Sequence, residues 1–283
     1  MKILVILAAL SQLMPLTELV AQPKNFQSIE SALEVPERVE WLTLRNQGLE
    51  SFPVEITRFK NLKYLDLSGN NINSLPDQVG ELTNLFYLDL SGNRLSSLPS
   101  SLQSVKSLRN LYVDYGQPAN LPRDFETLAS LPMLRVLNIR GEQINSLPAG
   151  IGRIRNLEYL ELSDSEIKTL PMEFANLRSL QVLYVNNDRH FDLSANLPVL
   201  SRLPNLKELH LEGDHFSRIP KEIQQLASLE ALYLNHNDIQ ELPKELFQIK
   251  SLKYIDVSNN RLPNILLDQY RDDLAPTIKI QFE

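Results

Sequence analysis

Hydrophobic residues recur along the chain at a fixed spacing rather than in scattered clusters. The stretch YLDLSGN at 64–70 is repeated letter for letter at 87–93, and a variant, YIDVSNN, occurs at 254–260. The wider pattern is L-x-x-L-x-L-x-x-N-x-L-x-x-L-P-x-x-I-x-x-L-x-x. Its ten units begin at Val39, Leu62, Leu85, Leu108, Leu134, Leu157, Leu180, Leu206, Leu229 and Leu252. Such a period indicates a solenoid, in which each unit buries its apolar side chains only against its neighbours.

Each unit is predicted to begin with a short strand. In YLDLSGN, Leu65 and Leu67 alternate with polar or aromatic residues, which is the period-two signature of a strand. Asn70 follows the strand, and Asn side chains hydrogen-bond backbone groups where a chain turns. Pro76 then fixes the backbone before Val79 turns inward. Stacked units of this kind predict one parallel sheet, with the remaining strand positions on its open side.

A regular unit, such as residues 62–84, is 23 residues long. These units resemble the leucine-rich repeat family, in particular its bacterial type, whose 23-residue units end in LP-x-x-I-x-x-L. The resemblance covers residues 39–262 and implies an α/β fold. The expected architecture is a right-handed solenoid, or horseshoe, with a parallel β-sheet on its concave face and short helical or irregular segments on its convex side. Residues 22–38 resemble the helical cap that precedes such arrays, and residues 263–283, where the pattern is lost, are predicted to be a C-terminal cap. One face of the N-terminal cap helix would carry Phe26, Ile29 and Leu33, and Pro36 would end it.

The first 21 residues have the pattern of a secretory signal peptide. Lys2 precedes the unbroken apolar run Ile3–Leu10, and Ala21 is a small residue of the kind found before a cleavage site. The uncharged stretch is too short for a transmembrane span. A cleaved signal over 1–21 therefore predicts a bacterial protein that is secreted, periplasmic or on the cell surface; an uncleaved anchor and a buried cap helix are the alternatives.

Two units, Leu108–Met133 and Leu180–Asn205, are each three positions longer than the regular unit and lie 72 residues apart. Their shared LYV and LP sequences suggest duplication of a block of three units. In each, the segment after the strand, 114–120 or 186–192, is predicted to bulge from the rim, and the following segment is long enough for a helical turn or two. Harmless length variation on a tolerant surface is the alternative interpretation.

Aromatic residues occupy strand positions that the hydrophobic core does not need. The chain contains nine Tyr and one Trp. Eight of them are predicted to face outward from the strands: Trp41, Tyr64, Tyr87, Tyr112, Tyr159, Tyr184, Tyr233 and Tyr254. Tyr115 lies just past a predicted strand end and is assigned to the same surface. Aromatic residues favour strands for structural reasons too, but Phe avoids these positions, so rings with a polar tip indicate a binding surface.

The same predicted face is acidic. Its carboxylates are Asp66, Asp89, Asp114, Glu161, Asp164, Glu208, Glu212 and Asp256, against the two basic residues Arg45 and Arg140. Asp66 and Asp89 hold equivalent positions on neighbouring strands about 4.8 Å apart, so they should repel each other. Such a pair favours a proton, a cation or a basic partner, unless water screens it. The predicted ligand-binding set comprises the eight aromatic residues, Tyr115, Arg140, Asn186, His210 and these acids except Asp164 and Glu208.

Other chemistry is sparse. The chain has no Cys, which excludes disulfides, thiolate metal sites and cysteine nucleophiles. Its net charge of −7 and the lack of a Lys/Arg run disfavour nucleic acid as a partner, and no phosphate-binding loop is present. The four His residues fall at 190, 210, 215 and 236, and are predicted to be surface residues rather than zinc ligands. No catalytic residue, metal or cofactor is predicted.

The sequence therefore predicts a non-enzymatic module that binds a protein or peptide, neutral to basic in charge, across the concave face. Carbohydrate binding is the first alternative, because tyrosine rings can stack on sugars. The second is an intracellular scaffold similar to the Ras-suppressor-like repeat proteins, which requires the N-terminal apolar segment to remain uncleaved.

Overall fold

The protein is a solenoid of short parallel strands. The computed structural model describes residues 24–115, 121–141, 144–273 and 278–282, so the predicted signal segment at 1–21 lies outside the described residues. The described strands form one parallel sheet in chain order. They are β1 (Asn25–Phe26), β2 (Trp41–Thr43), β3 (Tyr64–Asp66), β4 (Tyr87–Leu95), β5 (Asn110–Tyr115), β6 (Val136–Asn138), β7 (Tyr159–Glu161), β8 (Val182–Tyr184), β9 (Glu208–His210), β10 (Ala231–Tyr233), β11 (Tyr254–Asp256) and β12 (Lys279–Gln281). The predicted α/β horseshoe with a parallel sheet is confirmed.

Short 3-10 helices form most of the convex side. Each of seven such helices follows directly on the Pro of an LP pair or its equivalent, whose fixed φ directs the chain into the turn. They span Val54–Arg58, Asp77–Glu81, Ser100–Ser104, Ala149–Arg153, Met172–Asn176, Lys221–Gln225 and Lys244–Gln248. The described α-helices are α1 (Ile29–Leu33), α2 (Leu121–Ala129), α3 (Leu193–Leu200) and α4 (Asn264–Asp273). The helices α2 and α3 lie in the two long units, where the sequence predicted helical turns.

The core lies between the sheet and the convex segments. Leu65, Leu67, Ile72 and Val79 are all fully buried, and the equivalent residues of the other units form one continuous core with them. Burial of each such side chain stabilises the fold by about 1.5–3 kcal/mol. Because this core is made of contacts between successive units, the stability of each unit depends on its neighbours.

An asparagine ladder closes the strand ends, as the sequence predicted for Asn70. The Nδ2 of Asn70 donates to the backbone oxygens of Leu44 and Leu67 at 2.9 and 2.7 Å, and its Oδ1 accepts from the backbone nitrogen of Gln47 at 2.9 Å. Equivalent bonds are made by Asn93, Asn237 and Asn260. The ladder satisfies backbone groups that the turn leaves without a strand partner.

The array has a longer period of three units. A polar side chain on each of α2, α3 and α4 accepts the backbone N–H of a leucine in the preceding unit. These contacts join Asp124 Oδ1 to Leu98 (3.1 Å), Asn196 Oδ1 to Leu170 (2.7 Å) and the Tyr270 hydroxyl to Leu242 (2.8 Å). The three leucines lie 72 residues apart. Residues 263–283, predicted as a C-terminal cap, thus contain a helix equivalent to α2 and α3, followed by β12, which pairs with β11.

The N-terminal segment differs from the predicted single helix. Phe26 lies in β1, pairs with Leu42 of β2 and is buried, so it covers the first repeat as a strand residue. The helix α1 is only five residues long and begins after Ser28, whose hydroxyl accepts from the Ser31 nitrogen at 3.2 Å. Pro36 does not end this helix but begins a separate 3-10 turn, because its fixed φ suits a first helical position.

Candidate functional site

Three columns of side chains cross the concave face. Strand register aligns the first column, which runs Trp41, Tyr64, Tyr87, Asn110, Val136, Tyr159, Val182, Glu208, Ala231 and Tyr254. The second column, two residues later, is Thr43, Asp66, Asp89, Tyr112, Asn138, Glu161, Tyr184, His210, Tyr233 and Asp256. The third column, two residues further, includes Asp114, Arg140, Asn186 and Glu212. The predicted aromatic residues therefore fall in two columns rather than one.

The rings nevertheless form continuous stacks, because they pass from one column to the other. The first ring stack consists of Trp41, Tyr64, Tyr87 and Tyr112, with centroid separations of 4.7, 4.2 and 5.2 Å. The second ring stack consists of Tyr159, Tyr184, His210, Tyr233 and Tyr254, with separations of 5.2, 3.7, 4.0 and 5.3 Å. Each column change is made by a tilted pair, whereas rings within a column lie nearly parallel.

Stacking covers the ring faces, which corrects the expectation of freely exposed rings. Tyr87 and His210, which each have a ring on both sides, are both 6% exposed, and Tyr112 at the end of the first ring stack is 9% exposed. Burial raises the pKa of Tyr87 well above its usual value and raises the pKa of Tyr112 to about 12. These phenols therefore stay neutral at physiological pH. Within the stacks the rings offer a ligand their edges and hydroxyl groups rather than their faces.

Every stacked Tyr or His is followed, two residues later, by an acid or an amide. These partners are Asp66, Asp89, Asp114, Glu161, Asn186, Glu212, Asn235 and Asp256. A ring in the first column has its partner in the second column, and a ring in the second column has its partner in the third. The pairing is therefore preserved along each stack. The Tyr87 hydroxyl donates to Asp89 Oδ2 at 3.2 Å, and the Tyr159 hydroxyl donates to Glu161 Oε2 at 3.1 Å. A ridge of rings beside a ridge of oxygen acceptors thus runs along most of the concave face.

The predicted carboxylate pair Asp66 and Asp89 lies side by side in the second column. Burial raises the pKa of Asp89, and the negative charge of Asp66 raises it further. The hydrogen bonds from Ser91 act in the opposite direction but do not cancel the increase. Each of these aspartates accepts two hydrogen bonds at Oδ1 from the serine two residues later, Ser68 for Asp66 and Ser91 for Asp89. In both pairs the backbone nitrogen of the serine lies at 2.9 Å and its hydroxyl at 2.6 Å. Asp256 and Ser258 repeat this contact. These serines were not predicted from the sequence, although the recurring D-x-S of YLDLS marks them.

His210 is not the surface residue that the sequence suggested. Its ring lies between Tyr184 and Tyr233, with Glu208 Oε2 3.7 Å from Nε2 and Glu212 Oε2 3.7 Å from Nδ1. The contact with His210 lowers the pKa of Glu212, and this effect is larger than the increase that burial alone would cause. Among the residues that the structure describes, no cluster of three or more His, Asp or Glu is placed to hold a metal ion.

Tyr115 does not belong to the concave face. It is 4% exposed, lies in the core and donates its hydroxyl to Asp124 Oδ2 at 2.7 Å. Strand β5 continues to Tyr115, and alternation along the strand turns this residue to the same side as Leu111 and Val113. The predicted assignment was wrong because the strand is longer in this unit than in most others.

The third column contains two further polar contacts between units. The guanidinium of Arg140 binds the carboxylate of Asp164. Asn186 Nδ2 donates to Glu212 Oε2 at 2.5 Å, and the Glu212 backbone nitrogen donates to Asn186 Oδ1 at 2.9 Å. Both contacts bring together residues that were predicted to lie on this face.

The structure describes the second of the two predicted rim bulges fully and the first only in part. Residues 116–120 of the first bulge lie outside the described residues. The second bulge, 186–192, borders an open polar hollow lined by Asp164, Glu166, Asn187, Arg189, His190 and His215. No helix in the described ranges is long and apolar enough to cross a membrane.

Comparison with known proteins agrees with this geometry. The family model for a leucine-rich repeat region matches residues 38–136, 119–203 and 189–269. A solved internalin (InlF) from Listeria monocytogenes is 23% identical over 97% of this chain and 72% of its own, with a TM-score of 0.68. The leucine-rich repeat domain of the type III effector XopL is 26% identical over 90% of this chain and 79% of its own, with a TM-score of 0.54.

A more distant structure shares the fold. The Toll–Spatzle complex of Drosophila gives 20% identity over 87% of this chain and 38% of the matched chain, with a TM-score of 0.59. No curated protein sequence matches the chain. Leucine-rich repeat regions commonly act in protein–protein interaction and are typically non-enzymatic. The repeats, the parallel sheet and the matched ranges together show that the chain belongs to the leucine-rich repeat family.

Proposed function

We propose that the concave face binds a protein or peptide ligand and that the protein acts by binding rather than by catalysis. The observation that carries this proposal is the ring-and-acceptor pairing, which persists in eight strands although the rings change columns. Leucines on the opposite side of each strand already satisfy the core. Residues such as Tyr64 and Glu161 are therefore free to serve recognition, and tyrosine is enriched at binding hot spots.

The polar chemistry of the face favours a neutral to basic polypeptide. Carboxylates accept hydrogen bonds but do not donate them, so they match backbone N–H groups, lysine and arginine. Of the two basic residues predicted on this face, Arg140 is already paired with Asp164. A nucleic acid would bring its phosphates against these carboxylates, which is unfavourable.

Carbohydrate binding is less well supported than polypeptide binding. Stacking on a sugar needs an accessible ring face, and most ring faces here lie against a neighbouring ring at 3.7–5.3 Å. Hydroxyl edges and carboxylates suit extended peptide backbone and basic side chains better.

The proposed location is the secreted, periplasmic or cell-surface space of a bacterium, based on the pattern of residues 1–21. N-terminal sequencing of the mature protein tests this directly. A mature chain that begins near Gln22 supports it. A chain that retains Met1 and Lys2 contradicts it and favours the intracellular scaffold.

A matched pair of variants tests the binding face. The concave variant combines Asp66→Asn, Glu161→Gln and Asp256→Asn, which remove charge while keeping acceptors for the neighbouring hydroxyls. The convex control combines Glu55→Gln, Glu173→Gln and Glu222→Gln, all exposed residues of the 3-10 helices.

Both variants change the net charge equally, so a general charge effect cannot separate them. A ligand would first be selected from a displayed peptide library with the native protein, and its affinity then compared among the three proteins. Loss of affinity in the concave variant alone supports the proposal. Equal affinity in the concave variant, or loss in the convex control, overturns it.

A further inference from the structure

Basic residues gather along one edge of the sheet, where the parallel strands begin. Three positions of each unit lie at this edge: the residue directly after the first leucine, and the residues two and four positions before that leucine. Backbone hydrogen bonds hold these positions in register between units. Arg135 N donates to Arg109 O at 2.9 Å, and Lys207 N donates to Gln181 O at 2.8 Å. Equivalent residues of successive units therefore lie about one strand spacing, or about 4.8 Å, apart.

The basic residues are densest in five successive units, the first beginning at Leu108 and the last at Leu206. Their fifteen edge positions contain eight Lys or Arg and one acid, Glu158. Arg135 and Lys207 are paired with glutamates. The other six form no ion pair within the part of the chain that the structure describes, and five of them are exposed. We call these six the basic edge: Lys106, Arg109, Arg153, Arg155, Arg178 and Arg202.

The basic edge differs in charge from the rest of the molecule. The chain as a whole has a net charge of −7, and its concave face is acidic. At physiological ionic strength the Debye length is about 8 Å, so a surface that touches the basic edge is attracted by its cations while the acids further away are screened. The repeat separates these residues along the sequence, so they do not form a run of Lys and Arg and come together only when the units stack.

An apolar side chain is exposed within the basic edge. The residue before the first leucine of a unit is usually Asn or Ser, such as Asn156, whose Nδ2 donates to Pro132 O at 3.0 Å. In one unit this residue is Met133, which is 46% exposed. Met133 lies one unit after Lys106 and one unit before Arg155. The edge therefore combines cations with an accessible apolar group, as surfaces that lie on a membrane do.

From these observations we propose that the basic edge docks the protein on the surface of an anionic phospholipid membrane. Lipid phosphates are spread over an extended surface, so they can meet cations along the whole distance from β5 to β9, about 19 Å. Lys and Arg bind phosphate and favour such a surface, and Met133 can enter the boundary between headgroups and acyl chains. Because the strands run away from this edge, the concave face stays open. The inference thus goes beyond the proposed function and does not depend on it.

A nucleic acid carries the same phosphate charge but fits the basic edge less well. Single strands are held largely by stacking of their bases on exposed aromatic rings. Phe86, which lies at this edge one unit earlier, is covered by the Arg109 guanidinium, 5.8 Å from the centre of the ring. A phosphate backbone also offers no apolar partner to Met133. A membrane satisfies both the cations and the apolar group.

Vesicle flotation tests the inference on the native protein. The vesicles are phosphatidylcholine alone, or equal parts phosphatidylcholine and phosphatidylglycerol. Binding to the anionic vesicles should be about tenfold tighter or more at an ionic strength of about 0.1 M, and should be largely lost at about 0.5 M. The neutral vesicles reveal any binding by the apolar segment 3–10, which needs no anionic lipid. Equal binding to both kinds of vesicle overturns the inference.

A matched pair of double variants locates the contact. The edge variant combines Arg155→Gln and Arg178→Gln. The control combines Arg189→Gln and Arg218→Gln, two exposed arginines that follow β8 and β9 at the other ends of the strands. Both variants change the net charge equally, and thermal unfolding checks that both are folded. The edge variant should bind anionic vesicles about tenfold more weakly or worse, with the control unchanged. No loss in the edge variant, or an equal loss in the control, overturns the inference.

The apolar part of the contact has its own variant, which also serves if the edge variant fails to fold. Met133→Asn introduces the residue type of other units and changes no charge, and it should weaken binding to anionic vesicles about threefold. Met172→Asn, at a 59% exposed residue of a convex 3-10 helix, should not. Unchanged binding of Met133→Asn overturns the inference.

A competitor separates the membrane from nucleic acid. Duplex DNA at the same phosphate concentration as the anionic vesicles should leave the native protein bound to the vesicles. Displacement of the protein by the DNA overturns the inference in favour of a nucleic-acid partner.

Discussion

Asp214 occupies the position of the asparagine ladder that Asn237 occupies one unit later, but it presents an acid where the ladder has an amide. Asn237 Nδ2 donates to the backbone oxygens of Leu211 and Leu234 at 2.7 and 2.9 Å. Asp214 Oδ1 accepts from the Asp188 nitrogen at 2.7 Å, as ladder oxygens do. Its Oδ2 has no partner among the described residues, and burial raises the pKa of Asp214 to about 8.

This contrast predicts that Asp214→Asn stabilises the protein. The folded-state pKa lies above the ordinary aspartate value of 3.8. The unfolded chain therefore holds fewer protons, and the stability of the native protein falls as pH rises from about 4 to about 8. The amide has no such dependence and supplies the missing donor. We expect about 1–3 kcal/mol more stability at pH 7 and little difference at pH 4. Thermal unfolding at both pH values measures this, with exposed Asp77→Asn as control. A gain that is equal at both pH values would contradict the explanation.

The ring stacks predict a sharp difference between two substitutions of Tyr112. Tyr112→Ala removes a ring that is 9% exposed and packs on Tyr87, so it should destabilise the fold by about 3–5 kcal/mol. Tyr112→Phe keeps the ring and should cost less than about 1 kcal/mol. Urea unfolding followed by circular dichroism compares them. Similar stability of the two variants would show that the stack contributes little.

Nearest-neighbour packing predicts that Leu65→Asp unfolds part of the array. Leu65 is fully buried between β2 and β4, and an unpaired charge there should cost more than about 4 kcal/mol. Hydrogen exchange should show lost protection around Leu42 and Leu88 and preserved protection around Leu232. The exposed convex substitution Gln78→Asp serves as control. Uniform loss of protection along the chain would mean that the array unfolds as one cooperative unit.

The acidic ridge predicts salt-dependent binding of a basic ligand. Raising the ionic strength from about 0.05 to about 0.5 M shortens the Debye length several-fold and should weaken binding. The triple variant of Asp66, Glu161 and Asp256 should show a smaller salt dependence, whereas the convex control should match the native protein. Affinity that is constant across this range in the native protein would remove the acids from the recognition.

The sequence alone predicts the array and the side of each strand. The regular period of the repeat and the alternation around Leu65 and Leu88 identified the strands and the buried leucines, because these features depend on local spacing. The horseshoe was expected from the resemblance of the units to leucine-rich repeats. The assignment of Tyr115 failed because the strand was predicted to end before it, whereas alternation continued to residue 115 gives the observed inward side. Residues 263–283 were predicted to be a C-terminal cap, but the helix α4 within them was not predicted, because this segment retains little of the leucine pattern that marks the other units.

Contacts between successive units decided the rest. Whether Tyr87 or His210 is open or covered depends on which column the ring of the next strand enters, and that choice is not written within either strand. Local sequence fixes the direction of a side chain, whereas its burial and partners depend on the register that stacking imposes between strands.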